Sequence, residues 1–316
     1  MFFYIIFIIF GFYLLLKGAD FLVDGASNLA KKFNIPSMII GLTIIAIGTS
    51  MPELMVSFTA AIQKHSDISI GNIVGSNMAN LFLILGVCSI IHPLKFNKKA
   101  ERVDNLIAVF ATLFVFFLGN NTNKHIITKE EGCFLLFFAI IYIIYNIFFT
   151  KKEKSKEDKD NYKKISIIKT LIYVLIGIFS LKIGGDVVVK YSSKVAKILG
   201  VSEKIISITV IAFSTSFPEL ITSINATIKR DTDMAIGNIL GSQIFNIFLI
   251  LGISSIFEPI DYSINYNIDM FFLICGTIMF AIFPFIGTKH YMTRTNGIFF
   301  VLIYVSYIIY NIVKIN

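Results

Sequence analysis

Two glutamates, Glu53 and Glu219, lie deep inside long apolar stretches, and each directly follows a proline, Pro52 or Pro218. An ionised carboxylate at bilayer depth is costly unless a partner, a cation or water compensates it, so both are expected to serve a function. The prolines lack the N–H that would pair with the carbonyl four residues back, which leaves the carbonyl oxygens of Gly48 and Ser214 without helical partners. Helical spacing adds oxygens: Thr49, Glu53 and Ser57 recur at intervals of four and are expected to share a face, as are Thr215, Glu219 and Ser223. The next apolar stretch presents Asn72, Ser76 and Asn80, and a later one Asn238, Ser242 and Asn246. A single Ser or Asn in a membrane helix reads as a helix-to-helix hydrogen bond. The whole set, with two glutamates and two helix-breaking prolines, reads as an ion site. Carboxylate, hydroxyl, amide and carbonyl oxygens without His or Cys suit hard cations such as Ca2+ rather than zinc or copper. Two carboxylates neutralise one Ca2+ or two Na+, and a third Na+ would leave net positive charge.

The elements that must position these residues are membrane spans. The chain has 316 residues, 56% of them hydrophobic, with mean hydropathy +0.78, which argues against a water-soluble fold. Apolar runs of roughly 20 residues, the length that crosses the hydrocarbon, recur along it. We place spans near 2–24, 36–62, 68–91, 103–119 and 132–149, then near 166–190, 202–227, 234–257, 268–286 and 296–313. The first run has no basic region before it and no cleavage site after it, so it reads as a helix and not as a signal peptide. The net charge of +8 sits largely in short loops, a topological signal and not a nucleic-acid-binding one. Cys88, Cys133 and Cys275 show no metal-binding spacing and are expected to serve packing.

The chain repeats itself. One constant offset lays Gly48-Thr49-Ser50-Met51-Pro52-Glu53-Leu54 on Ser214-Thr215-Ser216-Phe217-Pro218-Glu219-Leu220, and Ile70-Gly71-Asn72-Ile73-Val74-Gly75-Ser76 on Ile236-Gly237-Asn238-Ile239-Leu240-Gly241-Ser242. Asn80 falls on Asn246 and Asp20 on Asp186. After a slip of one residue, the Tyr142 to Ile147 stretch matches Tyr307 to Ile312. Five spans per half force the second copy to enter the membrane from the other side, so the expected fold is an all-α polytopic membrane protein of ten transmembrane helices in two inverted five-helix repeats. The expected division is a first repeat over 1–150, a charged cytoplasmic linker over 151–165 and a second repeat over 166–316. The loops with Lys31 and Lys32, Lys95 to Arg102, Lys151 to Lys164, Lys229 and Arg230, and Lys289 to Arg294 fall on one side, assigned to the cytoplasm of a cell (inner) membrane. Both termini are then extracytoplasmic.

At its two duplicated motifs, GTSMPEL and GNIVGSNMANLFLILG with their copies, the sequence resembles the calcium/cation antiporter family, whose sodium/calcium exchangers carry two such repeats. The resemblance covers nearly all ten spans. It implies that Glu53 and Glu219 are the central Ca2+ ligands, with Thr49 and Thr215 adding oxygens. It also implies that Ser50, Ser76, Ser216 and Ser242 join Na+ coordination with the carbonyls of Ala46 and Ala212, and that Asn80 and Asn246 complete the centre. Two positions depart from the family pattern: Ser214 stands where glycine is frequent, and Asn246 where several members carry aspartate. The second removes a possible third carboxylate, which points away from K+ co-transport. The large calcium-sensing insert of the eukaryotic members has no counterpart in the short linker.

The expected activity is secondary antiport of Ca2+ against Na+ by alternating access, with the two ions and the lipid bilayer as partners. No cofactor, nucleic acid or obligate protein partner is expected. A Ca2+/H+ exchanger of the same fold is the alternative, because buried carboxylates readily take up protons. An intramembrane serine hydrolase would need a base beside the stripe serines and a GxSxG elbow, and neither is present. A channel would differ by its much larger currents. Lys17 with Asp20 and Lys182 with Asp186 are expected to form local ion pairs, and the four histidines to lie at span ends or in loops.

Overall fold

The computed structural model describes residues 2–33, 35–98, 100–121, 125–152, 166–198, 215–286 and 289–315. The expected linker over 151–165 falls almost wholly outside them, as do Ala212, Ser214 and the first part of the expected span 202–227. Among the described residues, seven helices are long and apolar enough to cross a membrane, and a bent pair makes an eighth. Apart from Ser66–Ile91 and Thr232–Phe257, which are mostly buried, the long helices carry exposed Phe, Ile and Leu side chains on their outer faces, which a bilayer accommodates and water does not. The protein is a multi-pass helical membrane protein.

The first helix, α1, runs Phe2–Phe33 and so extends beyond the expected end at 24. After Pro36, whose fixed φ suits a helix start, come α2 (Ser37–Thr49) and α3 (Met51–Ile62), bent by 48° at Ser50. Helix α4 (Ser66–Ile91) and α5 (Arg102–Asn120) follow, then α6 (Lys129–Lys152) and α7 (Ile167–Ile198). The remainder is α8 (Phe217–Ile228), α9 (Thr232–Phe257), α10 (Tyr266–Phe285) and α11 (Arg294–Ile315).

Four two-residue strands join loops far apart in sequence. Strand β1 (Leu94–Lys95) pairs antiparallel with β4 (Tyr291–Met292), and β2 (Ile126–Ile127) pairs antiparallel with β3 (Ile260–Asp261). Beside the first ribbon, Phe96 N–H donates to the carbonyl of His290 at 2.9 Å; beside the second, Tyr262 N–H donates to that of His125 at 2.7 Å. Both histidines are left-handed, with φ of 67° and 50°, a conformation to which His is more tolerant than most residues. The histidines therefore lie in loops as expected, where their backbones fasten turns.

The buried side chains fall into two clusters. The larger unites α4, α5, α6, α9, α10 and α11 through residues such as Phe82, Phe245, Phe248 and Phe300. The smaller holds α1 to α7 and touches the rest through Ile40, Ile45, Ala226, Met234 and Ala235. Glycine permits the close approach of α1 and α7: a Cβ at Gly177 would stand 2.7 Å from the backbone nitrogen of Leu22.

Two expectations are corrected. Only Cys88 is buried, whereas Cys133 and Cys275 are exposed on helix surfaces, so for those two a lipid-facing placement replaces core packing. Lys17 does approach Asp20, at 3.9 Å, but Asp20 has nearer partners at the C-terminal end of α8: Asn225 Nδ2 at 3.0 Å and Lys229 Nζ, just past the helix, at 3.3 Å. No ion pair joins Lys182 to Asp186 among the described residues. The Asp20 cluster thus ties α1 to the end of α8.

Candidate ion site

The bend at Ser50 follows from local chemistry. Ser50 takes φ −83° and ψ 8°, between helix and turn, and Pro52 offers no N–H to Gly48, so the helix restarts in a new direction with Leu54 N–H donating to Ser50 O at 3.1 Å. The second copy restarts likewise, with Ser216 at φ −87° and ψ 3° and Pro218 in the first turn. Each helix start delivers a hydroxyl and, one turn later, a glutamate to the bundle interior.

The glutamates sit where the two halves meet. Both are fully buried. Ser50 Oγ donates to Glu219 Oε1 at 2.9 Å, and Ser216 Oγ donates to Glu53 Oε1 at 3.3 Å. Ser76 Oγ stands 3.5 Å from Glu53 Oε1 and 3.4 Å from Thr215 Oγ1, while Ser50 Oγ lies 3.0 Å from Ser242 Oγ. Each N-cap serine therefore serves the carboxylate of the other half.

The bend also alters the expected stripes. Thr49 ends α2 and is no longer in register with Glu53 and Ser57 on α3: its hydroxyl donates to Asn238 Oδ1 of the opposite half at 3.2 Å. Thr215 makes the matching bond to Asn72 Oδ1 at 3.3 Å. Asn72 in turn donates to Ser57 Oγ at 2.9 Å, and Asn238 to Ser223 Oγ at 2.9 Å. The asparagines thus link the threonine of one half to the serine of the other. The carbonyl of Ala46 accepts from Ser50 N–H at 3.0 Å, and Thr49 Oγ1 lies 3.3 Å from it.

Oxygens left over by this network point to what the site can hold. Among the described residues, Glu53 Oε2 and Glu219 Oε2 are buried without a hydrogen-bond partner, as are both amide atoms of Asn80 and Oδ1 of Asn246. Buried polar atoms without partners are rare and costly. Two orphaned carboxylate oxygens among hydroxyls form a ligand set for a hard cation. Among the described residues no group of three or more His, Cys, Asp or Glu side chains could hold a metal, so such a cation would meet two carboxylates and neutral oxygens.

Of the twelve residues singled out in the sequence, Glu53, Glu219, Ser50, Ser216, Ser76, Ser242, Thr49 and Thr215 come together in one hydrogen-bonded cluster. Asn80 and Asn246 lie one turn beyond Ser76 and Ser242 and open π-helical turns, Ala79–Ile84 and Asn246–Leu251, a distortion that often marks functional sites. Ala212 lies outside the described residues. Sequence reasoning missed Asn77 and Gln243, which are buried next to Ser76 and Ser242. The signal was available, because both are amides at aligned positions in Gly75-Ser76-Asn77 and Gly241-Ser242-Gln243.

Close packing of backbones brings α2 against α9. A Cβ at Gly41 would lie 2.6 Å from the carbonyl oxygen of Met234, and one at Gly237 would lie 2.5 Å from that of Met38. Only glycine lets these two helices from different halves touch so closely beside the site.

Comparison with known proteins adds a family. The sodium/calcium exchanger protein family matches residues 3–150 and again 169–313. The sodium/calcium exchanger MaX1 of Methanosarcina acetivorans is 30% identical over 338 aligned positions, covering 95% of each chain. The inner membrane protein YrbG of Escherichia coli is 29% identical over 288 positions, covering 87% of this chain and 86% of that one. A solved structure of the sodium-calcium exchanger NCX_Mj, soaked with 10 mM Na+ and zero Ca2+, superposes with TM-score 0.82 at 30% identity over 96% of both chains.

Proposed function

The chain belongs to the sodium/calcium exchanger family, and on that premise we propose that it is a secondary antiporter that exchanges Ca2+ for Na+ at the paired glutamates. The observation that carries this reading is the reciprocal pair of bonds, Ser50 to Glu219 and Ser216 to Glu53, with the second oxygen of each carboxylate buried and unpartnered. Glu53, Glu219, Thr49 and Thr215 supply the oxygens for Ca2+. Ser50, Ser216, Ser76 and Ser242, with the carbonyls of Ala46 and Ala212, share the Na+, and Asn80 and Asn246 complete the centre. No cofactor is required.

Exchange follows from charge. A site with two ionised carboxylates is too costly to carry through low dielectric alone, and either Ca2+ or Na+ neutralises it. The two ions share ligands and so compete, and the loaded states are the ones that reorient. Net Ca2+ export driven by Na+ entry is the expected direction.

Alternating access needs two related halves, and we place ten helices in inverted repeats over 1–150 and 166–316. The family match in two blocks, the reciprocal threonine-to-asparagine bonds and the paired ribbons support that arrangement. The separate core of α1 and α7 supports a two-helix unit that moves against the rest. We assign the protein to the inner membrane, with basic loops in the cytoplasm and both termini outside.

The test is Ca2+ uptake into vesicles containing the purified chain under an outward Na+ gradient, with the proton gradient collapsed by an ionophore. Uptake that tracks the Na+ gradient is expected. Uptake that ignores Na+ and disappears with the proton gradient would replace this reading with Ca2+/H+ exchange.

A further inference from the structure

Asn246 has two chemically opposite ends, and only the oxygen can face a cation. Its Nδ2 donates to Asn77 Oδ1 at 3.0 Å, and its Oδ1 is buried without a partner. Asn77 is itself fixed, because its Nδ2 reaches the backbone carbonyl of Gln243 at 3.4 Å. Asn246 lies one turn beyond Ser242, whose hydroxyl is 3.0 Å from that of Ser50, the donor to Glu219. The free oxygen therefore belongs to the same polar interior as the glutamates.

We infer that Asn77 is a positioning residue for the ion site: it clamps the amide of Asn246 so that the oxygen is left for the transported cation. This deepens the antiporter reading and rests on it. Without the clamp, the Asn246 amine becomes a free donor in a pocket that contains orphaned carboxylate oxygens, and a charge-assisted bond to one of them would turn the wrong end inward. A cation would then have to displace that bond before binding.

The clamp is one-sided. The aligned partner of Asn77 is Gln243, but its longer side chain sends Nε2 to Thr277 Oγ1 at 2.9 Å, and its Oε1 is unpartnered. Both amide atoms of Asn80, the aligned partner of Asn246, are likewise unpartnered. One amide is thus oriented by a side-chain bond, and the other by none among the described residues.

The experiment compares the full chain with Asn77→Leu, Asn246→Asp and the double variant, reading Ca2+ binding by calorimetry in detergent. In the native background N77L is expected to weaken Ca2+ binding about fivefold, the factor one net hydrogen bond commands. Added to N246D, whose carboxylate presents oxygen whichever way it turns, it should change binding less than about twofold, since the residue has no wrong end to face inward. An equal loss in both backgrounds would make Asn77 a purely structural contact and overturn the inference, as would no loss in either. Should N77L not yield folded protein, N77A serves in the same cycle. Binding is read without any gradient, so loss of the Na+ dependence of transport would sink the antiporter reading and leave this outcome separately legible.

Discussion

Ser50 of the first half donates its hydroxyl to Glu219 of the second across 2.9 Å, at the point where α2 ends and α3 begins. The bend created by one motif thus serves the carboxylate of the other, and neither motif forms a site alone. Serine is suited to this position because its short hydroxyl reaches across the interface and can accept from a neighbour or bind a cation with the same oxygen.

Removing that hydroxyl tests the link. A hydrogen bond to a charged group is worth about 1.5–3 kcal/mol net, so Ser50→Ala is expected to raise the half-saturating Na+ concentration by about tenfold or more. Na+-driven Ca2+ uptake over a range of Na+ gradients measures it, and an unchanged curve would contradict the role.

Glu53→Gln and Glu219→Gln each remove one of two negative charges while keeping shape. Both variants should insert in the membrane and lose exchange. A ligand at a hundred times its Kd stabilises the folded state by about 2.7 kcal/mol, so saturating Ca2+ should raise the melting temperature of the unmodified chain and fail to raise that of either variant. Full transport by both variants would refute the site.

Lys229 bridges Asp20 at 3.3 Å and Asp24 at 2.9 Å, tying α1 to the end of α8. At the aligned place in the other half, Thr59 and Gln63 stand in place of Asn225 and Lys229, so this tie has no counterpart there. These groups are partly exposed, and such pairs contribute about 0–1 kcal/mol. Lys229→Gln should therefore shift maximal turnover by up to about fivefold and leave half-saturating Ca2+ unaltered, and raised ionic strength should mimic it. Identical turnover and salt dependence in both proteins would remove the tie from the transport cycle.

Gly237→Ala forces a methyl to within 2.5 Å of the Met38 carbonyl oxygen. Overpacking of this kind costs about 1–3 kcal/mol, and the backbone on the far side cannot rotate away as a flexible side chain would. A lower melting temperature in detergent is expected, and Gly75→Ala, where nothing described lies within 4 Å of the new methyl, is the milder control.

Much of this was legible in the sequence because apolar run length and duplicated motifs are local properties. Run length placed seven long helices and the bent pair α2–α3, with α1 and α7 longer than expected because their polar ends continue as helix past the apolar stretch. Pro52 and Pro218 announced a broken backbone, and the oxygen-rich motifs named the candidate ligands. A straight helix would keep Thr49 in register with Glu53 and Ser57, and the bend at Ser50 turns it toward Asn238 instead.

The order of residues determined that this is a membrane protein with two related sets of candidate oxygen ligands, since hydropathy, proline chemistry and repetition need no partner to be expressed. Tertiary structure decided which set serves which: that Ser50 belongs to Glu219, Ser216 to Glu53, and Asn77 to Asn246. Those pairings join residues far apart in the chain, and they exist because α2 and α9 approach through Gly41 and Gly237 closely enough to bring oxygens of both halves within hydrogen-bonding reach, a contact that no local pattern encodes.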